Sequence, residues 1–226
     1  ALFNDEPIIE SQLFHVPLMT KEDACDYSIV GCSDVVCAGT GTEGLPYQAI
    51  SLARVMEHML QGRDPVTGTS LTPGVGDMLA WRGFDDLMQA FHEQARIWAR
   101  LTFLQILPLV ELHGKQLPCP YMSSLMQDSI GRARAFYDGG AIYGSHATVG
   151  CLIGIATLAN SMAAVRKLVF DDKTITMSQL KHALETNFED ESTNPGGPAI
   201  RGMCLSAPKY GNDDPYVDNI AKDCLT

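Results

Sequence analysis

The chain has 226 residues, of which 46% are hydrophobic and only 19% charged. That suits a buried piece of a large α/β enzyme better than a small solvated domain. A net charge of −11 argues against a nucleic-acid groove and against electrostatic binding to an anionic membrane. The cysteines (Cys25, Cys32, Cys37, Cys119, Cys151, Cys204 and Cys224) are odd in number and irregularly spaced, and no basic n-region precedes an apolar stretch. They read as thiols in a reducing, cytoplasmic compartment.

In chain order, Asn4 or Asp5 caps a helix with Pro7 in its first turn, and Thr20 caps another with Asp23 at the third position. Tyr27–Val30 reads as a short buried strand ending at Gly31, followed by a loop over 31–44 rich in Gly, Ser, Thr and Cys. Ala49, Leu52, Ala53, Met56 and Leu60 form a helical stripe over 45–60, and 63–76 is a surface connection with repeated Pro and Gly. The strongest helix spans 85–107, with Leu87, Ala90, Phe91, Ile97, Trp98, Leu101 and Leu104 on its apolar face and Pro108 as its break or kink. Further helices are expected over 121–137, stopped by Gly139-Gly140, over 154–169, and over 176–187, capped by Thr176 or Ser178. The apolar stretch from Ala147 to Val165 contains Thr148, Thr157, Asn160 and Ser161, and reads as a packed interior segment rather than a membrane span. Residues 189–202 read as a polar loop or insertion, and Asp213-Asp214-Pro215 opens a last helix.

Three segments carry the chemistry. In Asp26-Tyr27-Ser28-Ile29-Val30-Gly31-Cys32-Ser33-Asp34, a strand runs into Gly and then into a Cys with a carboxylate two residues on. Cys32 is a candidate reactive thiol and Asp34 a candidate proton donor or acceptor for the same substrate. In Asp138-Gly139-Gly140-Ala141-Ile142-Tyr143-Gly144-Ser145-His146, small residues permit close backbone approach. This is neither a phosphate loop nor a dinucleotide fingerprint. In Tyr210-Gly211-Asn212-Asp213-Asp214-Pro215, a turn leads into a helix whose acids favour its N-terminus. A zinc site of His15, Cys25, Cys32 and Cys37 is a weaker reading, since the Cys spacing does not match paired short loops.

These segments, in this order, resemble the glycyl radical enzyme superfamily, of the pyruvate formate-lyase and glycerol dehydratase kind. Leu2–Glu6 resembles the stretch before the cysteine finger, and Asp26–Cys32 the finger strand with its radical cysteine. Arg63–Gly68 resembles a D-P-x-T-G connection, Gly139–Tyr143 a G-G-A-R-Y motif, Gly154–Ala163 a G-x-A-T-x-x-D-S segment, and Tyr210–Asp218 a Y-G-N-D-D-x-x-V-D motif. The resemblance spans residues 1–226 as one partial barrel domain: an α/β, helix-rich part of a ten-stranded barrel of two antiparallel half-barrels, with the finger loop at 31–44. It implies that the N-terminal half-barrel and the C-terminal glycine domain lie outside the chain, so that the fragment alone is inactive.

It also implies a lyase, dehydratase or decarboxylase in which Cys32, as a thiyl radical, abstracts a hydrogen from a small polar or aryl substrate. The cofactor would be a glycyl radical on a segment outside the chain, made by a radical S-adenosylmethionine activating enzyme. No metal, nucleic-acid or membrane partner is implied, and a homo-oligomer is expected. Asp34, Glu43, Tyr143 and His146 are the polar groups placed near the substrate. The sequence departs from the family at Ile142, where Arg is usual, at Gly144, where Asn is usual, and at Asp34, where dehydratases carry Glu. One methylene less shortens that carboxylate's reach by about 1.5 Å. Ser33 follows Cys32 where formate-lyase proper has a second adjacent Cys, and Cys37 is read as a bystander. Alternatives are a succinate synthase-type addition to fumarate and an inactive paralogue that keeps the barrel.

Overall fold

The structure, a computed structural model, describes residues 5–16, 18–30, 34–37, 39–40, 49–63, 67–70, 75–143 and 151–225. It divides into a unit of Ala1–Gln48 with Thr102–Cys151 and a unit of Ala49–Leu101 with Leu152–Thr226. Helices dominate and the described strands are short.

The first unit begins with α1 (Glu6–His15), entered through Asp5 and Pro7. The Asp5 side chain does not cap the helix; its carboxylate accepts the Tyr27 hydroxyl at 2.8 Å. Helix α2 (Lys21–Cys25) is capped as expected, the Thr20 hydroxyl accepting the Asp23 backbone N–H at 3.1 Å. β1 (Tyr27–Val30) then pairs antiparallel with β2 (Asp34–Cys37) in the register Tyr27↔Cys37, Ser28↔Val36, Ile29↔Val35, Val30↔Asp34. A strand therefore occupies part of the expected loop. Val35 and Val36 have the branching that suits a pleated ladder, and burial of Cys37 fixes the strand's end. β1 is also less buried than its apolar residues predict, with Ile29 61% exposed.

Helix α4 (Phe84–Gln116) runs through Pro108 instead of ending there. One missing N–H costs one helical hydrogen bond, and helix-favouring residues such as Leu112, Glu111 and Lys115 carry the helix onward. Its apolar stripe divides: Leu87, Ala90 and Phe91 are buried, whereas Phe103, Leu104 and Leu107 are exposed. The expected helix over 121–137 shrinks to α5 (Pro120–Leu125). Asp128 and Ala133 adopt positive φ, and Ser123 Oγ accepts the Phe136 N–H at 2.9 Å while donating to the Cys119 carbonyl at 2.7 Å. Side-chain hydrogen bonding thus replaces the helical ladder there.

The second unit is organised on α6 (Ile155–Val165), whose Leu158, Ala159, Met162 and Ala163 are completely buried. Gly154 enters α6 at φ 85°, a conformation costly for other residues. Around α6 pack α3 (Leu52–Gln61), α8 (Gly197–Ser206) and α9 (Pro215–Asp223). Ahead of α3, β3 (Ala49–Ser51) is hydrogen-bonded to β4 (Cys151–Ile153), so the expected helix over 45–60 starts later, at Leu52. After α6 the chain widens into a π-helical turn, Arg166–Asp171, before α7 (Met177–Glu185), where Thr176 and Gln179 form a full capping box. Residues 197–202 lie in α8, not in a polar loop: Pro198 starts the helix and completely buried Ile200 anchors it. Among the described residues no helix is long and apolar enough to cross a membrane.

Candidate functional site

The site is built at the root of the β1–β2 hairpin. Tyr27 pairs with Cys37 at that root, and Val30 pairs with Asp34 at the far end. Cys32 lies between the two strands in sequence, in 31–33, outside the described residues; so do Glu43 and His146. The Asp34 backbone belongs to β2. Of the expected substrate groups, Tyr143 is the one whose side-chain contacts can be followed.

Tyr143 is set by the double glycine before it. A Cβ on Gly140 would fall 2.8 Å from the Ala135 carbonyl oxygen and closer still to that of Arg134. Only Gly allows this crossing, where the Gly140 N–H donates to the Ala135 carbonyl at 3.0 Å. Ala141 is then fully buried, and the Tyr143 backbone N–H reaches the Thr40 carbonyl at 3.2 Å. The Tyr143 hydroxyl donates to the Asp23 carboxylate and accepts the Thr20 N–H at 3.3 Å. The same carboxylate accepts the Thr20 hydroxyl at 2.9 Å.

Beneath this pair lies a buried thiol. Cys37 is 4% exposed; its single S–H faces the Asp23 carbonyl at 2.9 Å, with Gln12 Oε1 as the farther alternative acceptor at 3.4 Å. Gln12, also buried, donates to the Ala24 carbonyl at 3.0 Å. Thr40 donates from its hydroxyl to the Cys37 carbonyl at 2.7 Å. Met19, Ala24, Ile9, Val16, Tyr27 and Tyr143 enclose these groups in a small apolar cluster around Cys37.

The electrostatics assign one proton. The hydrogen bonds from Tyr143 and Thr20 hold the Asp23 carboxyl below the usual carboxylate range, and the same contact with Asp23 raises the Tyr143 phenol. Both directions keep the proton on Tyr143 and the charge on Asp23. Burial, followed by the charges of Asp23 and Asp26, pushes the Cys37 thiol up. It is a neutral donor, unlike an activated thiolate.

Sequence reasoning does not single out Gln12, Asp23 or Thr40 as site residues. The Thr20–Asp23 cap is legible as a cap, but nothing in the spacing joins Asp23 to Tyr143, 120 positions away. The second unit holds a cavity of about 530 Å³ lined by Arg54, Glu57, Leu180, Leu184, Phe188 and Cys204 among others; Tyr143 is not among its described lining residues. There the Tyr210 N–H meets Asn160 Oδ1 at 2.7 Å, and Asp214 caps α9. The Y-G-N-D-D segment thus serves as a turn and helix start packed on α6.

Comparison with known proteins places this geometry. The model of the pyruvate formate lyase-like family matches residues 1–226. The chain is 29% identical over 224 residues to (2S)-3-sulfopropanediol dehydratase of Klebsiella oxytoca, covering 98% of the chain and 26% of that protein. It is 30% identical over 225 residues to trans-4-hydroxy-L-proline dehydratase of Clostridioides difficile, covering 99% of the chain and 27% of that protein. Among solved structures it superposes, with TM-score 0.84 and 31% identity, on the protein of 1,2-propanediol dehydration in Roseburia inulinivorans, covering 99% of the chain and 28% of that structure. The chain spans about a quarter of the length of the curated relatives it matches. A match over every residue, with the finger segment, the double glycine and the Y-G-N-D-D turn in family order, leads to one conclusion: the chain belongs to the pyruvate formate lyase-like family of glycyl radical enzymes.

Proposed function

We propose that this chain is the finger-bearing part of a glycyl radical enzyme that eliminates water, or a comparable leaving group, from a small hydroxylated substrate, with Cys32 carrying the hydrogen atom. The observation that carries the reading is the β1–β2 register. It pairs Val30 with Asp34 and leaves Gly31, Cys32 and Ser33 between the strands. Similarity to dehydratases over nearly the whole chain supports elimination over addition to fumarate. In this reading residues 1–226 form one partial domain of a ten-stranded barrel, with the half-barrel before it and the glycine domain outside the chain. The compartment is the cytoplasm, the enzyme a homo-oligomer, and a radical S-adenosylmethionine enzyme its activator.

The hairpin suits a thiol that must meet a group held elsewhere. Ile29 is 61% exposed and Ser28 is exposed as well, so β1 is not closed over by the chain's own core. The Cys32 thiol would become a thiyl by giving its hydrogen atom to a glycyl radical on another segment, which is the chemistry that group would supply. Cys32 then takes a hydrogen atom from a substrate C–H bond, forming S–H and leaving a carbon-centred radical. Neutral Asp34 gives a proton to the hydroxyl on the adjacent carbon, which leaves as water. The hydroxyl on the radical carbon returns a proton to Asp34. Cys32 finally gives its hydrogen atom back, so a diol leaves as a carbonyl compound plus water and both residues are restored. Glu43 and His146 orient the substrate hydroxyls. Tyr143 adds an acceptor, because a phenolic oxygen that donates once and accepts once still has a lone pair.

The test uses full-length activated enzyme, offered (2S)-3-sulfopropanediol, trans-4-hydroxy-L-proline and 1,2-propanediol, with dehydrated product measured. Turnover of at least one is expected. Asp34→Asn should lower it by about 10²–10⁴-fold, the usual contribution of a positioned acid–base group. Undiminished turnover in that variant would remove Asp34 from the mechanism, and addition to fumarate without elimination would overturn the reaction class.

A further inference from the structure

We infer that Asp23 and Tyr143 are positioning residues, forming a clasp that fixes the angle at which the cysteine hairpin leaves its unit. The inference rests on the reading of Cys32 as hydrogen carrier. It is argued from the hydrogen bonds at the hairpin root, apart from the lone pair that Tyr143 offers the substrate.

The contacts form a closed ring. The Asp23 carboxylate holds the Tyr143 hydroxyl, and the Tyr143 N–H holds the Thr40 carbonyl. The Thr40 N–H and hydroxyl hold the Cys37 carbonyl at 3.2 and 2.7 Å, and the Cys37 thiol returns to the Asp23 carbonyl at 2.9 Å. Asp23 lies in α2, which runs directly into β1, and Cys37 ends β2. Both roots of the hairpin are therefore held, and Tyr143 is the member that comes from a distant part of the sequence. Its own position is fixed by the Gly140 crossing, so the clasp is tied to a rigid turn.

The hairpin amplifies error at its root. A strand rises ~3.3 Å per residue, which puts Val30 roughly 10 Å from Tyr27 along β1. A tilt of about five degrees at the root then moves Val30 by roughly 0.9 Å, and Cys32 is two residues farther along the sequence. A displacement near 1 Å at a reacting group costs on the order of 10²-fold in rate. Among the described residues the buried apolar members of this cluster are few: Met19, Ala24 and Cys37.

The experiment compares Tyr143→Phe, Asp23→Asn and the double variant with wild type and Cys32→Ala, all in full-length activated enzyme. Backbone hydrogen–deuterium exchange of 27–37 is measured beside that of α6, and turnover is expressed per glycyl radical counted by electron paramagnetic resonance. Each single variant should speed exchange in 27–37 by about tenfold and leave α6 unchanged, since one directional hydrogen bond contributes roughly a factor of ten. Turnover per radical should fall about 10–100-fold, with the double variant no worse than the poorer single one. Loss of a merely structural contact would lower radical yield and activity together, leaving turnover per radical constant; that result, or unchanged exchange, would overturn the clasp. Cys32→Ala separates the two ideas. Activity in that variant would refute the hydrogen-carrier reading, while the exchange data would still decide whether Asp23 and Tyr143 hold the hairpin.

Discussion

In the unit built on α6, Leu158, Met162 and Ala163 share one apolar cluster with Val55, Leu87, Phe91, Ile200, Val217 and Ile220, all essentially inaccessible. In the unit that carries the hairpin, the groups holding β1 and β2 are a carboxylate, a phenol, a thiol, a threonine and a buried glutamine. The first arrangement is non-directional and spreads its stabilisation over many contacts. The second depends on individual atoms, and removal of one partner leaves a buried or half-buried polar group short of a hydrogen bond. The contrast fits a division of labour. A hydrophobic core gives rigidity without fixing a direction, whereas a ring of hydrogen bonds fixes the direction of a short ribbon.

The contrast can be broken first in the core. Met162→Ala should destabilise the protein by about 2–5 kcal/mol, the loss expected when a fully enclosed long side chain is truncated. Denaturant unfolding would show it, and exchange within 27–37 should not change before global unfolding. A loss below about 1 kcal/mol would mean that α6 is not the centre of its unit.

A smaller effect sharpens the comparison through pH. In the second unit Asp190 accepts His182 Nε2 at 2.5 Å and the Ser192 N–H at 2.8 Å, and these contacts, His182 first, lower its carboxyl from 3.8 to about 2. A carboxyl depressed on folding adds stability that is fully present above the unfolded value and disappears as pH falls through the folded one. Wild type should therefore be more stable than Asp190→Asn above pH 3.8, with the difference vanishing toward about pH 2. The contact is partly accessible to solvent, so screening keeps the effect small. A difference independent of pH across that window would assign the role to shape rather than charge.

Much of the architecture was legible because it rests on local chemistry. Thr20, Thr176 and Asp214 cap the helices they were expected to cap, and Tyr27–Val30 is a strand. The misses share a cause: tertiary contacts overrode local signals. The Gly, Ser and Thr on either side of Asp34–Cys37 concealed β2, whose register is set by pairing with β1. Glycine and proline over 195–202 suggested a loop, yet burial of Ile200 makes a helix there. Helical periodicity over 121–137 gave way to bonds made by Ser123. Of the proposed site residues, Cys32, Asp34 and Tyr143 stand out by residue type and by family resemblance. Asp23 and Gln12 did not, because a capping acid and a helical amide carry no sign of a partner far away in the chain.

In the proposed function Cys32 carries the hydrogen atom while Cys37 only holds the hairpin. The direct test is turnover per glycyl radical in full-length activated enzyme for Cys32→Ala and Cys37→Ser, the serine retaining a donor toward the Asp23 carbonyl. No turnover is expected in Cys32→Ala at undiminished radical content, and measurable turnover, reduced about tenfold or less, in Cys37→Ser. Normal turnover in Cys32→Ala, or complete loss in Cys37→Ser with Cys32 intact, would contradict this assignment.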